Sequence, residues 1–194
     1  MPDPATPPES APLSTVKHQL RAEMRAALGQ LEDRPERSQR ICRTIAEQSA
    51  WADASIVAVF APMKSEPDVE LLWSLAASRT LCVPRLRGGH LEYLAIASLA
   101  SLVTGPRGFR EPSSDGIVIA PNRFDLVLVP GVAFSTAGER LGRGGGYYDR
   151  LLAGDGLRAA TIGICFDVQL VPSIPGESHD RKVDRVITES GVQT

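Results

Sequence analysis

The strongest constraint on the fold is a set of short, almost wholly apolar runs that recur along the chain. The first, at residues 55–60, reads Ser-Ile-Val-Ala-Val-Phe and is typical of a strand covered on both faces. A helical pattern that opens at Pro67 separates it from the next run, so the two form a βαβ unit. The full set of strand candidates is 55–60, 80–84, 91–97, 125–130, 159–166 and 183–188.

Two amphipathic patterns precede the first strand. One spans residues 15–30 with Ser14 as the expected N-cap, and the other spans 35–49 with Pro35 in its first turn. The sequence therefore predicts an α/β fold: a three-layer α/β/α domain with a mostly parallel, Rossmann-like sheet and two N-terminal helices. Ligands bind at the carboxyl ends of the strands in such sheets.

The rest of the chain indicates one domain over residues 14–194, preceded by a disordered, proline-rich tail at 1–13. A net charge of -2 gives no bulk attraction to nucleic acid or to a membrane surface. The three cysteines lie far apart, which excludes CxxC-type metal spacing and fits free thiols in a reducing compartment. No signal peptide or membrane span is evident, so we expect a cytoplasmic protein. We also expect a monomer. Residues 105–114, rich in glycine, proline and charge, are predicted to form a loop.

The segment at residues 140–149 reads Arg-Leu-Gly-Arg-Gly-Gly-Gly-Tyr-Tyr-Asp. Its glycines allow a string of backbone N–H groups to approach an anion, and Arg140 and Arg143 supply guanidinium groups suited to phosphate oxygens. The pattern is neither a Walker A loop nor a G-x-G-x-x-G motif, because no Gly-Lys-Ser/Thr follows and Tyr147 replaces the last glycine. A flexible surface loop with incidental arginines is the alternative, but the composition favours a phosphate site at the start of a helix.

Together with Val-Pro-Gly-Val-Ala-Phe at 129–134, the segment at 138–150 resembles the signature of 5-formyltetrahydrofolate cyclo-ligases, also called methenyltetrahydrofolate synthetases. The resemblance extends to Lys17-x-x-x-Arg21, to residues 60–72 and to His179-Asp-x-Lys-x-Asp184. It implies conversion of 5-formyltetrahydrofolate to 5,10-methenyltetrahydrofolate through a phosphorylated formyl group, with ATP and Mg²⁺ required and ADP and phosphate released. No enzyme nucleophile is needed, and the sequence shows no G-x-S-x-G elbow.

The resemblance also implies roles for individual residues. Asp149 and Asp184 are the implied Mg²⁺ ligands, although singly they could be a first-turn helix residue and a turn carboxylate. Lys17 and Arg21 lie on one helix face and could otherwise be a solvated basic stripe. The implied ATP contacts are Lys17, Arg21, Arg140, Leu141, Gly142, Arg143, Gly144, Gly145, Gly146, Tyr147 and Tyr148.

The implied folate contacts are Ala61, Glu66, Arg143 and Tyr147, with Arg143 and Tyr147 as the catalytic residues. A carboxylate at Glu66 suits the adjacent N–H donors of a pterin, but its place before Pro67 also fits a helix start that needs no ligand. Some relatives carry lysine where this chain has Gly145, which leaves phosphate neutralisation more to the arginines.

Two other functions remain open from the sequence. One is a non-catalytic nucleotide- or folate-binding homologue of the same fold, and the other is an ATP-dependent enzyme acting on another formamide or carboxylate. Intact Lys17, Arg21, Asp149 and Asp184 argue against the first. Only the pocket around Glu66 could separate the second from a folate enzyme.

Overall fold

Helices come first in the chain and strands dominate the rest, as seen in the computed structural model, which describes residues 12–105, 108–113 and 116–193. The helices are α1 (Leu13–Gly29), α2 (Arg34–Ala46), α3 (Ser49–Ala52), α4 (Leu71–Leu75) and α5 (Tyr147–Leu152). The strands are β1 (Ile56–Ala58), β2 (Thr80–Arg87), β3 (His90–Ala95), β4 (Val103–Thr104), β5 (Arg110–Glu111), β6 (Val118–Ile119), β7 (Leu126–Pro130), β8 (Ala133–Phe134), β9 (Arg140–Leu141), β10 (Ala160–Ile164), β11 (Arg185–Thr188) and β12 (Gly191–Gln193). Short 3-10 turns lie at Leu99–Ser101, Pro121–Arg123 and Asp167–Gln169.

The described residues form an eight-stranded sheet in the order β12-β11-β10-β7-β1-β2-β3-β6. Strands β11, β10, β7, β1 and β2 run parallel to one another. The antiparallel pairings, β12 with β11 and β3 with β2 and β6, lie towards the two edges. The mostly parallel sheet predicted from the sequence is therefore confirmed, with antiparallel strands added at both edges.

Strand β7 shows why the central strands are apolar throughout. Leu126 and Leu128 belong to a core cluster shared with α2 and α4, whereas Val127 and Val129 belong to a second cluster shared with α5. Successive side chains of a strand point to opposite faces, so a strand between two helical layers must be apolar at every position. This arrangement confirms the three-layer prediction.

The helix predicted from Pro67 begins later, at Leu71. The backbone N–H of Asp68 donates to Ser38 Oγ of α2 at 3.0 Å, and Asp68 Oδ1 accepts from the N–H of Glu70 at 2.9 Å. These bonds hold the segment before Leu71 in a non-helical path against α2. Such tertiary contacts override a proline start signal that is read locally.

Three further expectations differ from the structure. Helix α1 begins at Leu13 after Pro12, so Ser14 lies inside the helix and is not its N-cap. The predicted loop at 105–114 contains β5, which pairs with β4 just before the loop, and an unpredicted hairpin of β8 and β9 precedes the glycine-rich residues. The prediction of a disordered tail falls mainly on residues 1–11, which lie outside the described residues. The prediction of a single domain stays a prediction. Among the described helices, none combines the length and apolar character of a membrane span.

The topology fixes where a ligand is expected. After β1 the chain builds β2 on one side, and it later returns to build β7, β10 and β11 on the other side. The carboxyl ends of β1 and β7 therefore diverge into a crevice, the usual ligand site of an open parallel sheet. Glu66 follows β1. Residues 142–146, called the glycine segment below, follow the β8–β9 hairpin, which comes after β7 in the chain.

Candidate functional site

A cavity of about 370 Å³ opens at this crevice. Phe60 and Ala61 line it just beyond β1, and Pro130 and Gly131 line it at the end of β7. The predicted site residues in its wall are Ala61, Glu66, Arg140, Gly142, Arg143, Gly145, Gly146, Tyr147, Tyr148 and Asp149. Two segments that are far apart in the sequence therefore line one cavity.

The glycine segment joins β9 to α5 along one side of this cavity. Gly146 has a φ of 63° and precedes the helix, a left-handed conformation that glycine adopts without strain. A Cβ at Gly145 would lie 2.6 Å from Cε2 of Tyr147, so the missing side chain lets the Tyr147 ring rest against the segment. Helix α5 has only 6 residues, so its dipole adds only a small positive potential at this point.

Arg143 connects the glycine segment to the residues after β1. Its Nε and Nη2 donate to Glu66 Oε1 at 3.2 and 2.9 Å, and Nη2 also donates to Ser65 Oγ at 2.8 Å. Glu66 is only 9% exposed, and its Oε2 accepts from the backbone N–H of Met63 at 3.0 Å. A predicted phosphate ligand and the predicted pterin ligand are therefore in direct contact.

Arg140 and Asp149 form a second ion pair behind the first. Arg140 Nη2 lies 2.7 Å from Asp149 Oδ1, and Nη1 donates to the Pro130 carbonyl at 3.4 Å. The Arg140 guanidinium also lies 5.7 Å from the ring centre of Tyr148. With 7% exposure, Arg140 orients the Asp149 carboxylate and fixes the wall of the cavity. The side chain of Leu141 is buried in the core, which leaves only its backbone to meet a ligand.

Helix α1 brings both of its predicted phosphate ligands towards the chain's later segments. Arg21 Nε donates to the Gly142 carbonyl at 2.9 Å, which ties α1 to the glycine segment. Lys17 Nζ lies 2.6 Å from Asp180 Oδ2 and 2.8 Å from Glu177 Oε2. Burial alone would lower the pKa of Lys17, but these bonds outweigh it and raise the pKa above its ordinary value. The ammonium is thus charged and held by carboxylates.

Asp184 lies away from the cavity, near the amino ends of β10 and β11. Its Oδ2 accepts from the N–H and the Oγ1 of Thr161, each at 2.8 Å. Thr161 of β10 lies opposite Val127 of β7. The edge of the cavity is three residues further along β7, at Pro130. A rise of about 3.3 Å per residue puts these levels about 10 Å apart, and Mg²⁺ ligands lie about 2.1 Å from the ion. Asp149 and Asp184 as joint ligands of one ion therefore do not fit this structure.

Several cavity residues were not predicted from the sequence. Arg85 and Arg110 line it from β2 and β5, and Phe109 lines it from the segment predicted as a plain loop. Arg85 pairs with Glu92, and Arg110 donates to the Leu99 carbonyl. An aromatic residue within a polar loop was the one available signal, and only the fold shows that this loop faces the site.

The three cysteines do not supply a nucleophile, because all are buried and none of them lines the cavity. Burial raises the pKa of Cys42 to about 12 and that of Cys82 to about 11, and raises that of Cys165 well above its ordinary value. Burial likewise raises the pKa of Tyr148, which keeps its phenol protonated. The arrangement is suited to binding and charge stabilisation.

Comparisons with known proteins agree with the geometry. The sequence pattern that defines the 5-formyltetrahydrofolate cyclo-ligase family matches residues 13–189. A Schizosaccharomyces pombe protein, named as a probable 5-formyltetrahydrofolate cyclo-ligase, is 30% identical over 93% of this chain and 98% of its own. The 5-formyltetrahydrofolate cyclo-ligase of Escherichia coli is 34% identical over 72% of this chain and 80% of its own. The NMR structure of the Aquifex aeolicus 5,10-methenyltetrahydrofolate synthetase matches with a TM-score of 0.80, 29% identity and 92% coverage of both chains.

Proposed function

Because the chain belongs to the 5-formyltetrahydrofolate cyclo-ligase family, we propose that it converts 5-formyltetrahydrofolate and ATP into 5,10-methenyltetrahydrofolate, ADP and phosphate. The single observation that carries this proposal is the contact between Arg143 and Glu66, at 2.9 Å. It joins a glycine-rich anion segment to a buried carboxylate within one cavity, as a reaction between a nucleotide and a folate requires.

The chemistry needs positioning more than a protein nucleophile. The formyl oxygen on N5 attacks the terminal phosphorus of ATP, and the bond to ADP breaks. N10 of the folate then attacks the formyl carbon and loses its proton, while phosphate departs with the former formyl oxygen. Charge develops on phosphate oxygens in both steps, and preorganised guanidinium and backbone N–H groups stabilise such charge.

Arg143 is the group best placed to act in both steps. In this structure Arg143 donates to Glu66 Oε1, one of the two oxygens that would accept hydrogen bonds from a pterin. Arrival of the pterin at Glu66 would release the guanidinium, whose side chain is 42% exposed and can turn towards a phosphate. Folate binding would thereby free the residue that stabilises phosphoryl transfer. Tyr147, between the glycine segment and the cavity, would separate the two substrates and orient the formyl group.

The remaining ATP contacts follow from the same arrangement. Gly142, Gly144, Gly145 and Gly146 would present backbone N–H groups to the phosphates, with Tyr148 and the backbone of Leu141 behind them. Arg21 would reach the nucleotide from α1, while Lys17 would do so only by sharing its ammonium with Asp180 and Glu177. Arg140 would act mainly through Asp149.

For Mg²⁺, the cavity offers Asp149 alone of the two implied carboxylates. One carboxylate together with substrate phosphates and water is a common magnesium site. We therefore propose that the ion arrives with ATP and that Asp149 is its protein contact.

A matched pair of variants tests this assignment. Asp149→Asn should raise the Mg²⁺ concentration for half-maximal activity about tenfold, because about 1.4 kcal/mol of ion binding is lost. Asp184→Asn should leave that concentration unchanged and instead lower the free energy of unfolding by about 1–3 kcal/mol, because Thr161 loses a charged acceptor. Activity against Mg²⁺ concentration and urea unfolding measure the two effects. Equal Mg²⁺ curves for wild type and Asp149→Asn would refute the assignment.

The test of the whole proposal is a spectrophotometric assay for methenyltetrahydrofolate with purified protein, 5-formyltetrahydrofolate and MgATP. Product should accumulate in step with ADP, and omission of ATP should abolish it. Absence of product, with both ligands still bound, would favour the non-catalytic homologue.

We also propose that the protein is a monomer and that it is cytoplasmic. The three buried free thiols support the cytoplasmic location.

A further inference from the structure

A second cavity, of about 460 Å³, lies beside the first. It is bounded by the start of β3, by the turn at Pro121–Arg123 and by α5. Its volume falls within the range of small-molecule sites, which is about 300–1,000 Å³. None of the roles derived above uses it.

The two cavities share part of their walls. Leu91 and Tyr147 line both of them, so a ligand bound against Glu66 can extend past the Tyr147 ring into the second cavity. Helix α1, which carries Lys17 and Arg21, contacts the glycine segment at Gly142 instead. The second cavity is therefore an extension of the folate side of the site.

The chemistry of the second cavity favours an anion with an apolar stem. Leu91 and Leu151 supply apolar surface, and the exposed Arg150, His90 and Asn122 supply donors. Among the described residues, no aspartate or glutamate lines it. Arg150 Nη2 donates to the Gly89 carbonyl at 3.1 Å, and its guanidinium lies 4.9 Å from the Tyr147 ring centre. These contacts aim the guanidinium while leaving further N–H donors for a carboxylate.

We propose that this second cavity receives the aminobenzoyl-glutamate tail of the folate, with Arg150 as the residue that pairs with the tail carboxylates. The inference rests on the proposed function, since it assumes that the pterin end occupies the cavity at Glu66. The aminobenzoyl ring contacts Leu91 and Tyr147, and the glutamate lies at the open rim. Arg150 thereby determines specificity for the tail and takes no part in phosphoryl transfer.

The test compares substrates that differ only in the tail: 5-formyltetrahydropteroate without glutamate, the monoglutamate and the γ-linked triglutamate. Arg150→Gln should raise KM for the two glutamylated substrates about fivefold, as expected for loss of a partly exposed ion pair. KM for the tail-free compound and KM for ATP should stay within about 1.5-fold of wild type. Arg40→Gln, an exposed change on α2, is the matched control and should alter none of these constants.

A second variant guards against an indirect effect through Tyr147, on which Arg150 packs. Asn122→Asp places a negative charge in the wall of the second cavity, on a different element from Arg150, and should selectively raise KM for the glutamylated substrates. A wild-type protein that converts none of the three substrates defeats the proposed function itself. If wild type is active but both variants leave the ratio of glutamylated to tail-free KM unchanged, only the tail assignment falls. A raised KM for ATP in both variants would instead make the cavity part of the nucleotide site and overturn the inference.

Discussion

Arg143→Ala is expected to lower kcat/KM for 5-formyltetrahydrofolate about a hundredfold, equivalent to about 2.7 kcal/mol of transition-state stabilisation. The guanidinium, a predicted phosphate ligand, contacts Glu66, the predicted pterin ligand. In the proposed mechanism, its removal takes a positive charge from the point where the formyl oxygen meets the phosphate. Loss of one preorganised donor at such a point commonly costs two to three orders of magnitude, about 10²–10³. Initial rates with both substrates varied give the effect on kcat and on each KM.

Two further variants make this result specific. Arg143→Lys keeps a positive charge but loses the paired donors, so about a tenth of wild-type kcat/KM should remain. Arg25→Ala, an exposed change on α1, should match wild type. The alanine variant should melt a few degrees below wild type, because the buried Glu66 loses the donors to its Oε1, so rates are compared well below that temperature. Wild-type kcat/KM in the alanine variant would show that the glycine segment is not the phosphate site.

Local patterns predicted the centre of this fold and one side of its site. The strand at β7 was recognisable because both of its faces are buried, which forces Leu126–Pro130 to be apolar throughout. The glycine segment was recognisable from its composition, because a left-handed conformation such as the φ of 63° at Gly146 favours glycine. Both features are set by residues that are adjacent in the sequence, so a local sequence pattern can predict them.

Contacts between distant segments were beyond reach of the same patterns. Lys17 pairs with Asp180 across 163 positions, and no spacing along the chain indicates that pairing. Likewise, Asp180 and Asp184 belong to the same motif at residues 179–184. Only the structure shows that Asp184 accepts from Thr161, near the amino ends of β10 and β11 and away from the cavity. The β8–β9 hairpin was missed because strands of 2 residues carry too little periodicity.

Glu66→Gln is expected to lower kcat/KM for 5-formyltetrahydrofolate about a hundredfold, mainly through KM for the folate, with KM for ATP nearly unchanged. The substitution keeps the size of a buried side chain but replaces one acceptor oxygen by an NH₂ group. That group would face the N–H donors of the pterin, or those of Arg143 and Met63, so donors would oppose donors. An unpaired buried polar group costs about 1–3 kcal/mol. Glu70→Gln, an exposed change in the same segment, is the matched control.

The double variant of Glu66→Gln and Arg143→Ala decides whether the two residues act as one unit. If folate binding at Glu66 releases Arg143 for catalysis, the second substitution removes a function that the first has already impaired. The combined loss should then fall short of the sum of the single losses by about 1–3 kcal/mol, the range of coupling between residues in contact. Additive losses would mean that each residue serves its own substrate independently, and that their ion pair only shapes the cavity. A coupling seen in kcat with both substrates saturating would place the exchange after substrate binding, because neither binding step limits the rate under that condition.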